Sequence, residues 1–146
     1  LLAAGAGLPV AALVLLAPHV IVEDISVAAI ATARTAYAET DLRDRLARHH
    51  DDVDVAFRGW NDAWLDPAFR EWDITDRLSG ITAPVLAIQG ADDPFRGDAP
   101  TDELARMRGD RPTETVVIPG ASHALVPEQP ALLVKAMLDW IVRLPD

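Results

Sequence analysis

Two segments carry residue types that can move a proton between them. One is Ile88-Gln89-Gly90-Ala91-Asp92-Asp93-Pro94 and the other Pro119-Gly120-Ala121-Ser122-His123, each directly after a short aliphatic or β-branched run. A carboxylate on a turn at a strand end can accept a hydrogen bond from one imidazole nitrogen. That bond fixes the tautomer and stabilises the imidazolium formed when the other nitrogen takes a proton. Asp92 and Asp93 both qualify by position, and Asp-Asp-Pro also has a purely local reading as a turn, where Asp and Pro are favoured. His123 alone reads as a histidine of a surface turn. Their conjunction gives the pair weight: two strand-end turns thirty positions apart, a helical stretch between them and an amphipathic helix after the second.

Other candidates are weaker. His49-His50-Asp51-Asp52 has the composition of a metal site, but adjacent helical residues point about 100 degrees apart and cannot face one ion as an i, i+4 pair would. The expectation is a solvated helix end, with no metal and no cofactor. His19 follows Pro18 at the C-terminal end of a strand, where ligands of open α/β sheets collect, so it is a candidate pocket residue or a satisfied polar group in a turn. Trp60, Trp64, Phe69 and Trp72 cluster; Trp60 and Trp64 are candidates for the apolar wall of a substrate pocket, with packing favoured for most of the group. Ser26, Ser79 and Ser122 are the only serines, and none lies in a Gly-x-Ser-x-Gly elbow. Ser122, on the same turn as His123, is not placed to present its hydroxyl to that ring.

These residues need a scaffold, and three β-like runs supply it: Leu13–Ala17, Val85–Gln89 and Thr115–Ile118. Pro100 and Thr101 start a helical stretch over Thr101–Arg108, which Gly109 stops, and a second runs over Glu128–Val142. In the latter Leu132, Leu133, Ala136, Met137, Trp140 and Ile141 recur at helical spacing and form one apolar stripe. Strand alternating with helix predicts a parallel sheet. The interval Glu23–Ser79 breaks the alternation. It is polar, alanine-rich and helical, with Asp24 or Ser26 as N-cap and Ile30, Ala33, Tyr37 and Leu46 as apolar positions. At 57 residues it is too long for an ordinary crossover and reads as an inserted group of helices.

An apolar fraction of 50% and a charged fraction of 25% are ordinary for a globular domain. A net charge of -10, with Lys135 as the only lysine, argues against nucleic acid or an anionic membrane as partner. The absence of cysteine excludes disulfides and thiolate metal sites and is compatible with a reducing, cytoplasmic compartment. Leu1–Val22 is apolar enough to raise a membrane span, but Gly5, Gly7, Pro9 and Pro18 punctuate it and no basic residue precedes it. The preferred reading is a helix end at Leu1–Ala4, a Gly-Leu-Pro turn and a buried strand at Ala12–Ala17. Beginning at Leu1 in mid-pattern, the chain reads as a piece of a longer protein.

Taken together, these residues resemble the C-terminal half of an α/β-hydrolase fold protein. The resemblance covers all 146 residues. Leu13–Pro18 is similar to the sixth strand, Ala83–Gly90 to the seventh and Thr115–Ile118 to the eighth. The implied fold class is α/β, a parallel sheet flanked by helices, with 1–22 and 80–146 as the core and 23–79 as a helical cap. The Gly-x-x-Asp pattern counted from Gly90 selects Asp93 as the triad acid and leaves Asp92 a turn residue; His123 becomes the general base. Pro94–Pro100 departs from the family's more usual apolar stretch. The triad order in this fold is nucleophile, acid, histidine. The resemblance therefore implies a nucleophile upstream of Leu1, serine or aspartate, and a small-molecule ester or activated carbonyl as substrate. The alternative is a non-catalytic fragment or binding domain derived from such an enzyme. Either way, the oligomeric state is not legible in the sequence.

Overall fold

In the computed structural model, residues 1–95, 104–105 and 108–144 are described. They divide into two compact units: Leu1–Ile21 with Asp73–Asp146, and Val22–Trp72. The first opens with a short helix, α1 (Leu2–Gly5), followed by strand β1 (Leu13–Leu16). After the second unit the chain returns through a 3-10 turn, Thr75–Gly80, into β2 (Val85–Gly90) and then β3 (Thr113–Ile118). Two helices close it, α5 (Leu125–Glu128) and α6 (Pro130–Ile141). The expected helix over Thr101–Arg108 lies partly outside the described residues; Leu104, Ala105 and Arg108 are helical. Among the described residues no helix is long and apolar enough to cross a membrane.

The strands form one parallel sheet in the order β1-β2-β3, with Leu13 opposite Val85 and Val85 opposite Thr113. β2 is central, and all six of its residues are buried. Because side chains alternate across a strand, β2 feeds two cores. Leu86 and Ile88 join Ile118, Leu125, Leu133 and Trp140 on one face. Val85 and Ala87 join Ala4, Val20, Leu78, Ile81 and Leu104 on the other. β1 departs from its expected burial: it pairs on one side only, its first three residues are half-buried, and Leu16 is 40% exposed.

The last helix also differs from expectation. The helix expected over Glu128–Val142 is α6, which Pro130 opens because it has no N–H to continue a ladder from the preceding turn, and Glu128 ends a separate short helix, α5. The buried stripe narrows to Leu133 and Trp140, with Ala136 and Met137 packed beside them, while Leu132 and Ile141 are exposed. The outer face of α6 carries a Lys135–Asp139 pair at 2.5 Å.

Arg108 ties the segment that leads into β2 to the start of β3. It is 3% exposed and donates to the carbonyls of Ile81 (3.2 Å), Ala83 (2.7 Å) and Pro112 (2.9 Å), and to the Thr113 hydroxyl. A guanidinium has five donors in a fixed fork, which suits several carbonyls at once.

The second unit is helical: α2 (Asp24–Glu39), α3 (Leu42–Leu46), α4 (Val53–Leu65) and a 3-10 turn at Pro67–Phe69. The N-cap of α2 is Glu23, not Asp24 or Ser26; Asp24 lies in the first turn and Ser26 is buried within the helix. Asp52 caps α4 by accepting from the Val55 N–H at 2.9 Å. Asn61, almost fully buried, donates to the Ile30 carbonyl at 2.9 Å and accepts from Arg34 at 2.7 Å, joining α4 to α2. Tyr37 stacks on Phe57 at 3.8 Å and donates to Asp54 at 2.8 Å. Hydrogen bonds from Arg43 and Tyr37 hold the Asp54 carboxyl down at about 2.

Replacing Arg108 by Met removes the guanidinium donors from the buried Ile81 and Ala83 carbonyls, while the Pro112 carbonyl keeps the Val85 N–H. The expected loss is on the order of 3 kcal/mol, read as a lower urea midpoint with an unchanged slope. A loss below about 1 kcal/mol would show that these carbonyls find other donors.

Candidate active site

The site forms where the C-terminal ends of the three strands meet. Gly90, the last residue of β2, is where the backbone of the histidine turn comes closest. A Cβ built there would lie 2.2 Å from the Ser122 carbonyl oxygen and 2.4 Å from that of Ala121. Two backbone hydrogen bonds stitch the turns together, Ala91 N–H to the Ile118 carbonyl and Asp92 N–H to the Ala121 carbonyl, both 2.9 Å. Only a residue without a side chain allows this approach. Asp92 is accordingly an exposed turn residue held by its backbone, and Asp93 points inward.

The Asp93 side chain is 1% exposed. Its Oδ2 lies 2.9 Å from His123 Nδ1 and accepts from Gln89 Nε2 at 2.5 Å, while Oδ1 accepts from the Phe95 N–H at 2.8 Å. Burial alone pushes the carboxyl up, but the bonds from His123, the Phe95 N–H and Gln89 outweigh it and hold Asp93 below its ordinary 3.8. It is an ionised acceptor with three donors. His123 is the outward partner, its side chain 45% exposed. With Nδ1 engaged by the carboxylate, the nitrogen at the opposite edge of the ring, Nε2, is left for proton transfer.

The histidine turn has its own support. Glu128, at the end of α5, accepts from both the Ser122 N–H and the Ser122 hydroxyl, each at 2.5 Å. These bonds hold the Glu128 carboxyl below its ordinary 4.5. Ser122 thus stiffens the turn that carries His123. The Ser26 hydroxyl is buried in α2, and Ser79 donates to the Asp76 carbonyl at 3.2 Å.

Of the candidates read from the sequence, Asp93, His123 and His19 come together here. The His19 ring centroid lies 6.1 Å from that of His123. Burial lowers His19 below its ordinary 6.5, the charge of His123 lowers it further, and Asp93 opposes both. Trp60 and Trp64 belong to the helical unit. There Trp60 meets Phe57 edge to face at 5.7 Å and lines a cavity of about 390 Å³ with Phe57, Leu46 and His50. Trp64 packs against Phe69 and Trp72 at 5.3 and 6.1 Å. His49 and His50 lie beyond α3 in an exposed turn, and among the described residues no group of His, Asp and Glu could hold a metal ion. Sequence reasoning missed Gln89 and Phe95. Gln89 carried a signal, as the one polar side chain in the otherwise apolar run of β2; Phe95 carried none.

No protein-family model and no curated protein matches the sequence. Solved structures do match. E-2-(acetamidomethylene)succinate hydrolase superposes with a TM-score of 0.62 at 23% identity, over 95% of this chain and 60% of that one. NosK from Streptomyces actuosus gives 0.63 at 20% identity, over 93% and 60%. The esterase Rv0045c from Mycobacterium tuberculosis gives 0.52 at 23%, over 95% and 54%. The chain therefore spans less than two thirds of each of these structures.

Two outcomes follow from the site. Gly90→Ala forces the turns apart and is expected to cost about 2 to 3 kcal/mol; a wild-type melting temperature would mean that the approach relaxes freely. Asp93 and His19 both bind protons more weakly folded than unfolded, so stability falls as pH drops below 6.5 for His19 and below 3.8 for Asp93. In urea titrations across pH, His19→Gln should flatten the first limb and Asp93→Asn the second. Curves parallel to wild type would remove the shifts.

Proposed function

We propose, for a chain that has the α/β-hydrolase fold, that it is part of an esterase-like hydrolase. Its substrate is a small molecule with an ester or related activated carbonyl, and no cofactor takes part. The observation that carries this reading is the 2.9 Å contact between His123 and a buried, triply hydrogen-bonded carboxylate at adjacent strand ends. Asp93 keeps the proton on Nδ1, so Nε2 presents a lone pair. That nitrogen takes the proton of a hydroxyl nucleophile as the oxygen attacks the carbonyl carbon. The resulting imidazolium is stabilised by Asp93, and its proton passes to the leaving alkoxide as the carbon–oxygen bond breaks. A water molecule then repeats the sequence on the acyl intermediate and restores the nucleophile.

The nucleophile in this proposal comes from a segment outside these 146 residues. Two observations support that: the chain spans only about 60% of the hydrolase structure it resembles, and Ser122 is engaged with Glu128. The helical unit is proposed as the cap over such a site, with Trp60 and Trp64 as apolar wall residues.

Reading the coding sequence upstream of Leu1 tests the nucleophile. A strand followed by Gly-x-Ser-x-Gly supports it, an aspartate there redirects the chemistry to halides or epoxides, and unrelated sequence removes it. In the longer protein, His123→Ala and Asp93→Asn should each lower kcat on a short p-nitrophenyl ester by about 10⁴-fold. Near-normal turnover of His123→Ala would take His123 out of the mechanism.

A further inference from the structure

We propose that His19 is a positioning residue for His123, one of the rings that hold the His123 imidazole with Nδ1 on Asp93 and Nε2 toward the reacting groups. The inference rests on the acid–base reading of Asp93 and His123 and adds to it a residue from the third strand end.

The geometry is unusual for strands in this order. β1 and β3 are not neighbours, since β2 lies between them. With neighbouring strands about 4.8 Å apart, the outer two are about 10 Å apart. His19 and His123 nevertheless bring their ring centroids to 6.1 Å, with planes inclined at 36°. Side chains reaching inward over the end of β2 close that gap, helped by the course of the two turns. On the β3 side that course follows the Gly90 contact. On the β1 side it follows Ala17, which still donates its N–H to the Ile88 carbonyl at 2.8 Å but holds a φ of 45°. That left-handed conformation is costly for a residue with a Cβ, and it turns the chain out of the line of β1 at Pro18 and His19.

A second ring faces His123. Phe95, whose N–H is bonded to Asp93 Oδ1, meets the imidazole edge to face at 4.9 Å and 73°. The hydrogen bond to Asp93 anchors Nδ1 but still allows the half-exposed ring to swing about χ2, a broad torsion for an imidazole. Two flanking rings narrow it. His19 suits this role because it is an uncharged neighbour when His123 takes up a proton. Burial and the His123 charge both disfavour a proton on His19. Among the described residues the charged groups that act on His19 include His123 and Asp93, and Glu128, bonded to Ser122 on the same turn as His123, feels the charge of Asp93.

The test uses the 146-residue chain with ¹⁵N-labelled histidine, reading the ring shifts of His123 at pH 8. Native His123 should show a single tautomer with the proton on Nδ1. His19→Ala should move both His123 nitrogens toward the averaged shift of mixed tautomers. His19→Phe, which keeps a ring, should restore the native pattern, and His50→Ala should leave it unchanged. An unaltered tautomer in His19→Ala overturns the proposal.

Asp93→Asn separates the two levels of the argument. If it too leaves the tautomer unchanged, the acid–base reading itself has failed; if it alone perturbs His123, only the role of His19 has. Should His19→Ala not fold, the reciprocal coupling decides. His123→Gln should raise the His19 titration midpoint, because it removes the charge that disfavours a proton there. No shift would place the rings apart in solution and overturn the proposal.

Discussion

The backbone contact at Gly90 governs the distance between an acid and a base that lie thirty residues apart. Parallel strands deliver their C-terminal ends to one edge of a sheet, but strand spacing alone leaves turn side chains free to point anywhere above it. Here two turns are locked by carbonyl oxygens sitting where a Cβ would otherwise be, and by two backbone hydrogen bonds across the gap. The geometry is set by main chain, which does not sample rotamers. The Asp93–His123 bond forms on top of that frame and does not have to create it. A preorganised pair of this kind loses little conformational entropy when it works.

Burial and exposure are divided within the pair in a chemically useful way. The carboxylate is enclosed and has three donors, so it stays ionised and keeps its orientation. The imidazole is its opening to solvent. Ser122, which by type might be mistaken for a nucleophile beside His123, is committed with both its N–H and its hydroxyl to Glu128. Further from the site, Arg108 braces the N-terminal ends of β2 and β3 by bonding to backbone carbonyls. One end of the sheet is thus pinned by a cation and the other by a glycine, with an uninterrupted buried strand between.

What could be read from the sequence follows from how local each signal is. The strands were legible because aliphatic runs bounded by Pro, Gly and Asp leave few alternatives, and Asp93 and His123 because their turns follow those runs directly. The start of the last helix at Pro130 was also written in the chain, two residues after the Glu128 expected for it. Leu132 and Ile141 fit that periodicity as well as Leu133 and Trp140 do; which of them are covered depends on the width of the sheet they meet, and that is not a local property. The same holds for Arg108 and Asn61. Polar residues in helical stretches read as solvated, and only the assembled structure shows them enclosed by carbonyls contributed from distant segments. His19 was visible as a strand-end residue, but the left-handed Ala17 two residues before it is a conformation that no propensity rule would place there.

The way the helical unit is attached has a consequence for how such a chain can change. Ile21, where the chain leaves the sheet unit, forms an antiparallel bridge with Asp73, where it returns, and the Ile74 N–H bonds to the Val20 carbonyl at 2.9 Å. Entry and exit are thus already closed by hydrogen bonds that belong to the sheet unit. For chain topology, everything from Val22 to Trp72 is a loop with a fixed mouth, whose length and contents do not enter the register of β1 against β2. Such an insertion can be lengthened, shortened or exchanged while the strand ends keep their spacing, so the helical unit and the strand-end turns can change independently of one another.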